Sequence, residues 1–151
     1  MAIGNAISFN KIVMRHFTLS EFTRSDAAQR NGIENVPSKA QAQNLECLCA
    51  LILDPLRECI GHPIYITSGF RTKRLNRIVG GSATSAHMDG LAADFRVGDK
   101  DYLLDWAWCL LKSPSKEFKQ RIDQCIYYRD RHFIHVSLPK NGIARGQFWI
   151  E

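Results

Sequence analysis

Ser85-Ala-His87-Met-Asp-Gly90-Leu-Ala92-Ala93-Asp94-Phe95-Arg96-Val97 is the stretch from which this chain is best read. Gly90 ends a turn, and Leu91 to Val97 follows as a strand of small and apolar residues interrupted by one acid. Alternate strand residues share a face, so Ala92 and Asp94 point the same way. A carboxylate in such a strand is costly to bury without a cation beside it. That cation is either an arginine, Arg71 or Arg96, or a metal ion. About forty residues on, His132-Phe-Ile-His135-Val-Ser137 offers a second strand, Phe133 to Leu138, with His135 on the face of Phe133 and Ser137. Two imidazoles and a carboxylate, His87, Asp94 and His135, are a donor set that catalytic zinc takes, with a fourth position left for water. Zinc lowers the pKa of that water and makes it a hydrolytic nucleophile.

The neighbouring sequence supplies the rest of a fold. Pro63-Ile-Tyr-Ile-Thr67 is β-branched and aromatic and reads as a strand, broken by Ser68-Gly69. Thr18-Leu-Ser-Glu21 has the capping-box form and opens a short helix over Ser20 to Arg24. Ser38 caps a longer helix whose apolar face is Leu45, Leu48, Cys49, Ile52, Leu56 and Cys59, and Gly61 ends it. Pro55 is expected to kink or split that helix. Thr72 to Val79 reads as a helix, as does Asp99 to Lys112 with Leu103, Leu104, Trp106 and Leu110 or Leu111 inward. Arg121 to Tyr128 reads as a strand joined to Phe133–Leu138 by the polar turn Arg129-Asp130-Arg131. Strands and helices without strict alternation indicate an α+β domain. No repeat or linker divides residues 1–151, so one domain is expected.

Composition excludes several classes. Hydrophobic content of 45% and charged content of 23% are those of a globular protein. No apolar run reaches the roughly 20 residues a membrane span needs. Residues 1–11 lack a basic start and a continuous apolar core, which makes a poor export signal; synthesis in a cytoplasm is expected. Cys47, Cys49, Cys59, Cys109 and Cys125 are odd in number and include no Cys-x-x-Cys pair, so reduced thiols are expected. The net charge of +5 suits a polyanion, either nucleic acid or an acidic cell wall. The basic residues are scattered apart from Arg71, Lys73, Arg74 and Arg77, which argues against nucleic acid as the partner.

A longer series of motifs carries a resemblance. Phe17-Thr-Leu-Ser-Glu-Phe, Arg24-Ser-Asp-Ala-Ala, Asp54-Pro-Leu-Arg57, Ile66-Thr-Ser-Gly-Phe-Arg71, Leu75-Asn76-Arg77 and Val79-Gly80-Gly81-Ser82 occur in that order. They are followed by Ser85-x-His87-x-x-Gly90-x-Ala92-x-Asp94, Asp123-Gln124 and Phe133-Ile-His135-Val-Ser137. From Phe17 to Leu138 the chain resembles the M15 zinc D-Ala-D-Ala peptidases, especially the compact single-domain branch of bacteria and phages. The resemblance implies a small antiparallel sheet flanked by helices, of the hedgehog and D-Ala-D-Ala peptidase kind, with zinc bound by His87, Asp94 and His135. It implies hydrolysis of peptidoglycan stem peptides, as a D,D-carboxypeptidase or an L-alanyl-D-glutamate endopeptidase. With no export signal read, a phage or prophage lytic enzyme is expected, acting as a monomer on the wall after release.

By the same resemblance Arg71 contacts substrate or the reacting carbonyl oxygen; otherwise it is a structural partner of Asp94 or Asp89. Ser85 lies near the substrate or caps the turn bearing His87. Asn76, Asp123 and Gln124 are expected to hold the framework. One departure stands out: the family places an acid three residues before its last zinc histidine, and here that position is His132. His132 or Asp130 is therefore the expected general base, with Tyr128 a further polar participant. The same departure leaves open a second reading, a catalytically impaired zinc-binding domain that binds peptidoglycan or builds a virion. A regulatory zinc domain, as in the related hedgehog-like proteins, is a third reading without specific support.

Overall fold

A computed structural model describes residues 13–151; residues 1–11, read above as a poor export signal, lie outside the described part. The first described residues are pinned by Asp54. Its buried carboxylate accepts the backbone N–H groups of Arg15 at 3.0 Å and His16 at 2.9 Å. Helices α1 (Leu19–Thr23) and α2 (Asp26–Arg30) follow. The expected α1 is present; α2 was not anticipated, although Ser25 caps it by accepting the N–H of Ala28 at 3.2 Å.

Helix α3 (Lys39–Leu48) starts at the expected cap. Gln41 N–H donates to Ser38 Oγ at 3.2 Å, and Ser38 N–H donates to Gln41 Oε1 at 2.8 Å. A π-helical turn, Cys49–Leu53, carries it into α4 (Asp54–Ile60), which ends at Gly61 with φ 70°. Pro55 lies in the first turn of α4 and, as expected, splits the helix there, where a π-helical turn divides α3 from α4. Lacking an N–H, it leaves the carbonyl of Leu51 without its helical donor, and Arg121 Nη1 fills the gap at 2.9 Å. The widened turn sits where the ladder is interrupted, as π-bulges do.

The sheet has the order β1-β2-β4-β3-β5, built from Ile64–Ser68, Ala92–Val97, Phe133–Ser137, Gln124–Tyr128 and Gln147–Ile150 for β1, β2, β4, β3 and β5. The first four strands are antiparallel to their neighbours, as expected; β5 pairs parallel with β3, so the whole sheet is mixed. The C-terminal residues Gln147–Ile150 thus join the sheet as its edge strand. Helix α5 (Lys73–Ile78) falls within the expected Thr72 to Val79, whereas the strand expected from Arg121 starts later. Phe118–Arg121 forms the single helical turn α7, and β3 begins only at Gln124.

Period-two patterning gives the sheet two unlike faces. Ile64, Ile66, Ala93, Phe95, Val97, Cys125, Tyr127, Ile134 and Val136 turn one way into the core. There they meet Leu45, Leu48, Ile52, Leu53 and Leu56, and Leu103, Leu104, Ala107, Trp108 and Leu111 of α6 (Asp101–Lys112). Trp106 was expected inward but is 43% exposed, whereas Trp108 is buried against Tyr127 and Phe148. Leu104, Ala107, Trp108 and Leu111 form the three-and-four-residue stripe, and Trp106 lies on the far side of it. The opposite sheet face carries Asp94, Gln124, Ile126, Tyr128, Phe133 and His135, and it floors the cleft described next.

Candidate metal centre

Asp94 and His135 are directly opposite residues in the β2–β4 ladder. The register therefore delivers two of the three expected donors from one cross-strand pair. His135 Nδ1 lies 2.8 Å from Asp94 Oδ1. The third donor arrives from outside the sheet, on the 3-10 turn Ala86–Asp89. Ser85 Oγ accepts the N–H of His87 at 3.3 Å and Gly90, with φ 70°, closes the turn. Helix α3 fixes it from below: Gln41 Nε2 donates to the carbonyl of Met88 at 3.0 Å and Asn44 Nδ2 to that of Asp89 at 2.8 Å. The backbone N–H of Arg71 donates to the carbonyl of His87 at 3.1 Å.

His87 Nε2 then stands 3.2 Å from Asp94 Oδ1 and 3.2 Å from His135 Nδ1. Its other ring nitrogen, Nδ1, is 2.7 Å from the carbonyl oxygen of Gly69. A carbonyl only accepts, so Nδ1 carries the proton and the Nε2 lone pair of the neutral ring is aimed into the cluster. Three donor atoms converge, one on each of His87, Asp94 and His135, all within 4.8 Å of one another. Protons alone serve such a set poorly, and a divalent cation suits it. The carbonyl behind His87 is the outer partner that ligating histidines use to fix ring orientation. The electrostatics agree. Burial pulls the pKa of His87 below its ordinary value, keeping it neutral. Asp94 is itself driven well below the usual carboxylate range: burial opposes ionisation, but the adjacent His87 and His135 outweigh it.

Arg71 follows Gly69 and Phe70 at the end of β1. Its Nε and Nη2 donate to Ser68 Oγ at 3.2 and 3.0 Å, and Nη2 is 3.6 Å from Asp94 Oδ2. Asp89 instead pairs with Lys140 at 3.0 Å. Arg71 thus stands beside the unused oxygen of Asp94 and on the cleft wall. Ser85 both caps the His87 turn and lines the cleft. Asn76 spans from Arg71 Nη1 (3.5 Å) to the carbonyl of Ser82 (2.9 Å), and Asp123 receives Nε and Nη2 of Arg145 at 2.9 and 2.6 Å. Both serve the framework, as expected of them. Gln124 bridges β3 to β5 by donating to Gln147 Oε1 at 3.0 Å.

His132 and Asp130 are not gathered in with these residues. His132 takes a left-handed backbone, φ 55°, and its Nδ1 lies 3.6 Å from Asp101 Oδ1 at the start of α6. It lines surface recesses on that side of the sheet. Asp130 is exposed on the 3-10 turn Arg129–Arg131 and does not line the cleft. Among the described residues, Asp94 is the only carboxylate lining the cleft, a space of about 510 Å³. Two further residues adjoin Tyr128, neither of them expected at the site from the sequence. Arg131 lies over the rings of Tyr128 and Phe133, at 5.4 and 4.9 Å from their centroids. Glu151 is carried in by β5: its N–H donates to the carbonyl of Tyr127 at 2.9 Å, and its own carbonyl accepts the N–H of Arg129 at 3.0 Å. Burial, then the negative charges of Glu151 and Asp94, raises the pKa of Tyr128, so its phenol stays a hydrogen-bond donor at neutral pH. No sequence signal marked Glu151, because only the parallel β3–β5 pairing brings it there.

The five cysteines are all free thiols. Burial pushes the thiols of Cys49 and Cys125 far up, which makes them inert. No described helix is long and apolar enough to cross a membrane. Residues 15–137 match the family model described as Peptidase M15. No curated protein matches the chain.

Proposed function

The chain belongs to the peptidase M15 family, and from that premise we propose that it is a zinc-dependent peptidase hydrolysing peptidoglycan stem peptides. The observation that carries this reading is the convergence of His87 Nε2, His135 Nδ1 and a carboxylate oxygen of Asp94 on one point, with the proton of His87 held elsewhere by Gly69. Those three side chains would hold the metal. Zinc, when bound there, supplies Lewis acidity toward a peptide carbonyl and lowers the pKa of water.

The chain's own residues account for orientation. Arg71, permanently charged and braced by Ser68, presents a fork of donors where negative charge grows on the reacting carbonyl oxygen, or where a substrate carboxylate docks. Tyr128 offers a neutral phenolic donor on the same floor. Ser85, with its hydroxyl on the rim, contacts the substrate backbone. Proton transfer by His132 or Asp130 requires the Arg129–Arg131 turn to swing toward the cleft as substrate enters, a tightening known for catalytic contacts that are long in the free enzyme. The net charge of +5 favours adsorption to an acidic wall, in keeping with a phage or prophage lytic enzyme working as a monomer.

A second reading keeps zinc without turnover, as a peptidoglycan-binding or virion protein. The placement of His132 and Asp130 outside the cleft favours it. Zinc-loaded protein incubated with muropeptides and followed by mass spectrometry separates the two. Released D-alanine or split stems, abolished by chelation and restored by zinc, support the peptidase; bound but intact muropeptide supports the second reading.

A further inference from the structure

Three arginines line the cleft, and they are not alike. Arg71 is engaged by Ser68, Asn76 and Asp94. Arg145 is held through two nitrogens by Asp123. Arg131 has no acidic partner among the described residues; its guanidinium carbon lies against the stacked pair Tyr128 and Phe133, 5.4 and 4.9 Å from the two ring centroids, which are 4.6 Å apart. A guanidinium lying on aromatic rings keeps its in-plane N–H edges free for a carboxylate. The rings also restrict its rotamers beforehand, so less freedom is lost when a ligand binds.

We propose that Arg131 reads a carboxylate of the substrate, which makes the preferred ligand an acidic peptide; this rests on the cleft being the peptide site proposed above. Phe133 lies two residues before His135 on the same strand face, a separation of about 7 Å. An extended peptide crosses that distance in about two residues. The carboxylate that Arg131 binds therefore stands within about two residues of the bond cut at the metal cluster. Arg71, already shared with Asp94, is left for the reacting carbonyl.

The test uses the pentapeptide L-Ala-γ-D-Glu-L-Lys-D-Ala-D-Ala and two analogues, each with one of its carboxylates converted to the amide. Dissociation constants are measured by calorimetry for the wild-type chain, Arg131→Gln and Arg131→Lys. Wild-type protein is expected to bind one amide at least about tenfold more weakly than the free acid, the size of a lost charge-assisted hydrogen bond. Arg131→Gln is expected to bind the free acid as weakly as that amide and to lose the discrimination. Arg131→Lys, keeping the charge but not the planar stack, should fall between. Discrimination undiminished in Arg131→Gln, no discrimination in the wild-type chain, or no binding of any of the three peptides overturns the assignment. Because binding is the readout, discrimination that depends on Arg131 without any cleavage supports Arg131 and removes only the peptidase reading.

Discussion

The carbonyl oxygen of Gly69 lies 2.7 Å from Nδ1 of His87, on the side of the ring away from Asp94 and His135. Gly69 can deliver it because β1 ends against α1 with no room for a side chain. A Cβ at this position would stand 2.6 Å from Cα of Phe22, and Phe70 N–H already donates to the carbonyl of Phe22 at 2.7 Å. Gly69→Ala should therefore displace the carbonyl that fixes the His87 tautomer. The expected result is zinc affinity about 10- to 100-fold weaker, with about 1–3 kcal/mol lost from overpacking. Chelator competition and urea unfolding measure the two effects; unchanged affinity would show that Gly69 does not orient the ring.

Asp94 answers two imidazoles and Arg71. In metal-free protein, Asp94→Asn removes the charge that compensates a guanidinium only 17% exposed. Breaking such a pair costs about 3 kcal/mol, because the remaining charge stays buried. Urea unfolding of metal-free wild-type and variant protein checks this. A difference under about 1 kcal/mol would mean that Ser68 and Asn76 alone suffice to hold Arg71.

His132 and Asp130 should be separated by kinetics. If the Arg129–Arg131 turn swings in, replacing the true base by His132→Gln or Asp130→Asn lowers kcat by about 10²- to 10⁴-fold. The other variant should stay within about tenfold of wild type. Full activity in both variants would remove the role from this turn and direct attention to Glu151 beside Tyr128.

The Asp123–Arg145 pair gives a pH signature. Hydrogen bonds from the Arg145 side chain hold the Asp123 carboxyl below its ordinary value, so the native state favours the ionised form. The stabilisation is complete above the unfolded carboxylate value of about 3.9 and is lost as pH falls through the lower native value. Arg145→Gln should therefore be less stable than wild type at neutral pH, with the gap closing in acid, at a pH below the ordinary carboxylate value. Urea midpoints at neutral pH and in that acid range decide it; an equal gap at each would contradict the coupling.

Much of this architecture could be read from residue patterns where a single face decides the outcome. Period-two alternation around Asp94 and His135 located both strands, and their cross-strand pairing followed once the sheet closed. Caps at Ser38 and Ser85 and the stop at Gly61 acted through local hydrogen bonds, which sequence reports well. The misses have non-local causes. β5 exists because it finds β3, far away along the chain, and its parallel pairing brings Glu151 to Tyr128. Trp106 and Trp108 are both apolar and two residues apart, so only the direction of the core distinguishes them. His132 occupies the position in sequence expected of the base, yet its left-handed backbone turns the ring toward Asp101.

Zinc content measured on the purified chain tests the central claim most directly. Elemental analysis after zinc loading and gel filtration should find one zinc per wild-type chain, and much less in each of His87→Ala, Asp94→Ala and His135→Ala, with His132→Ala unchanged. Full zinc retention in any of the three variants, or a wild-type chain that holds none, would contradict it.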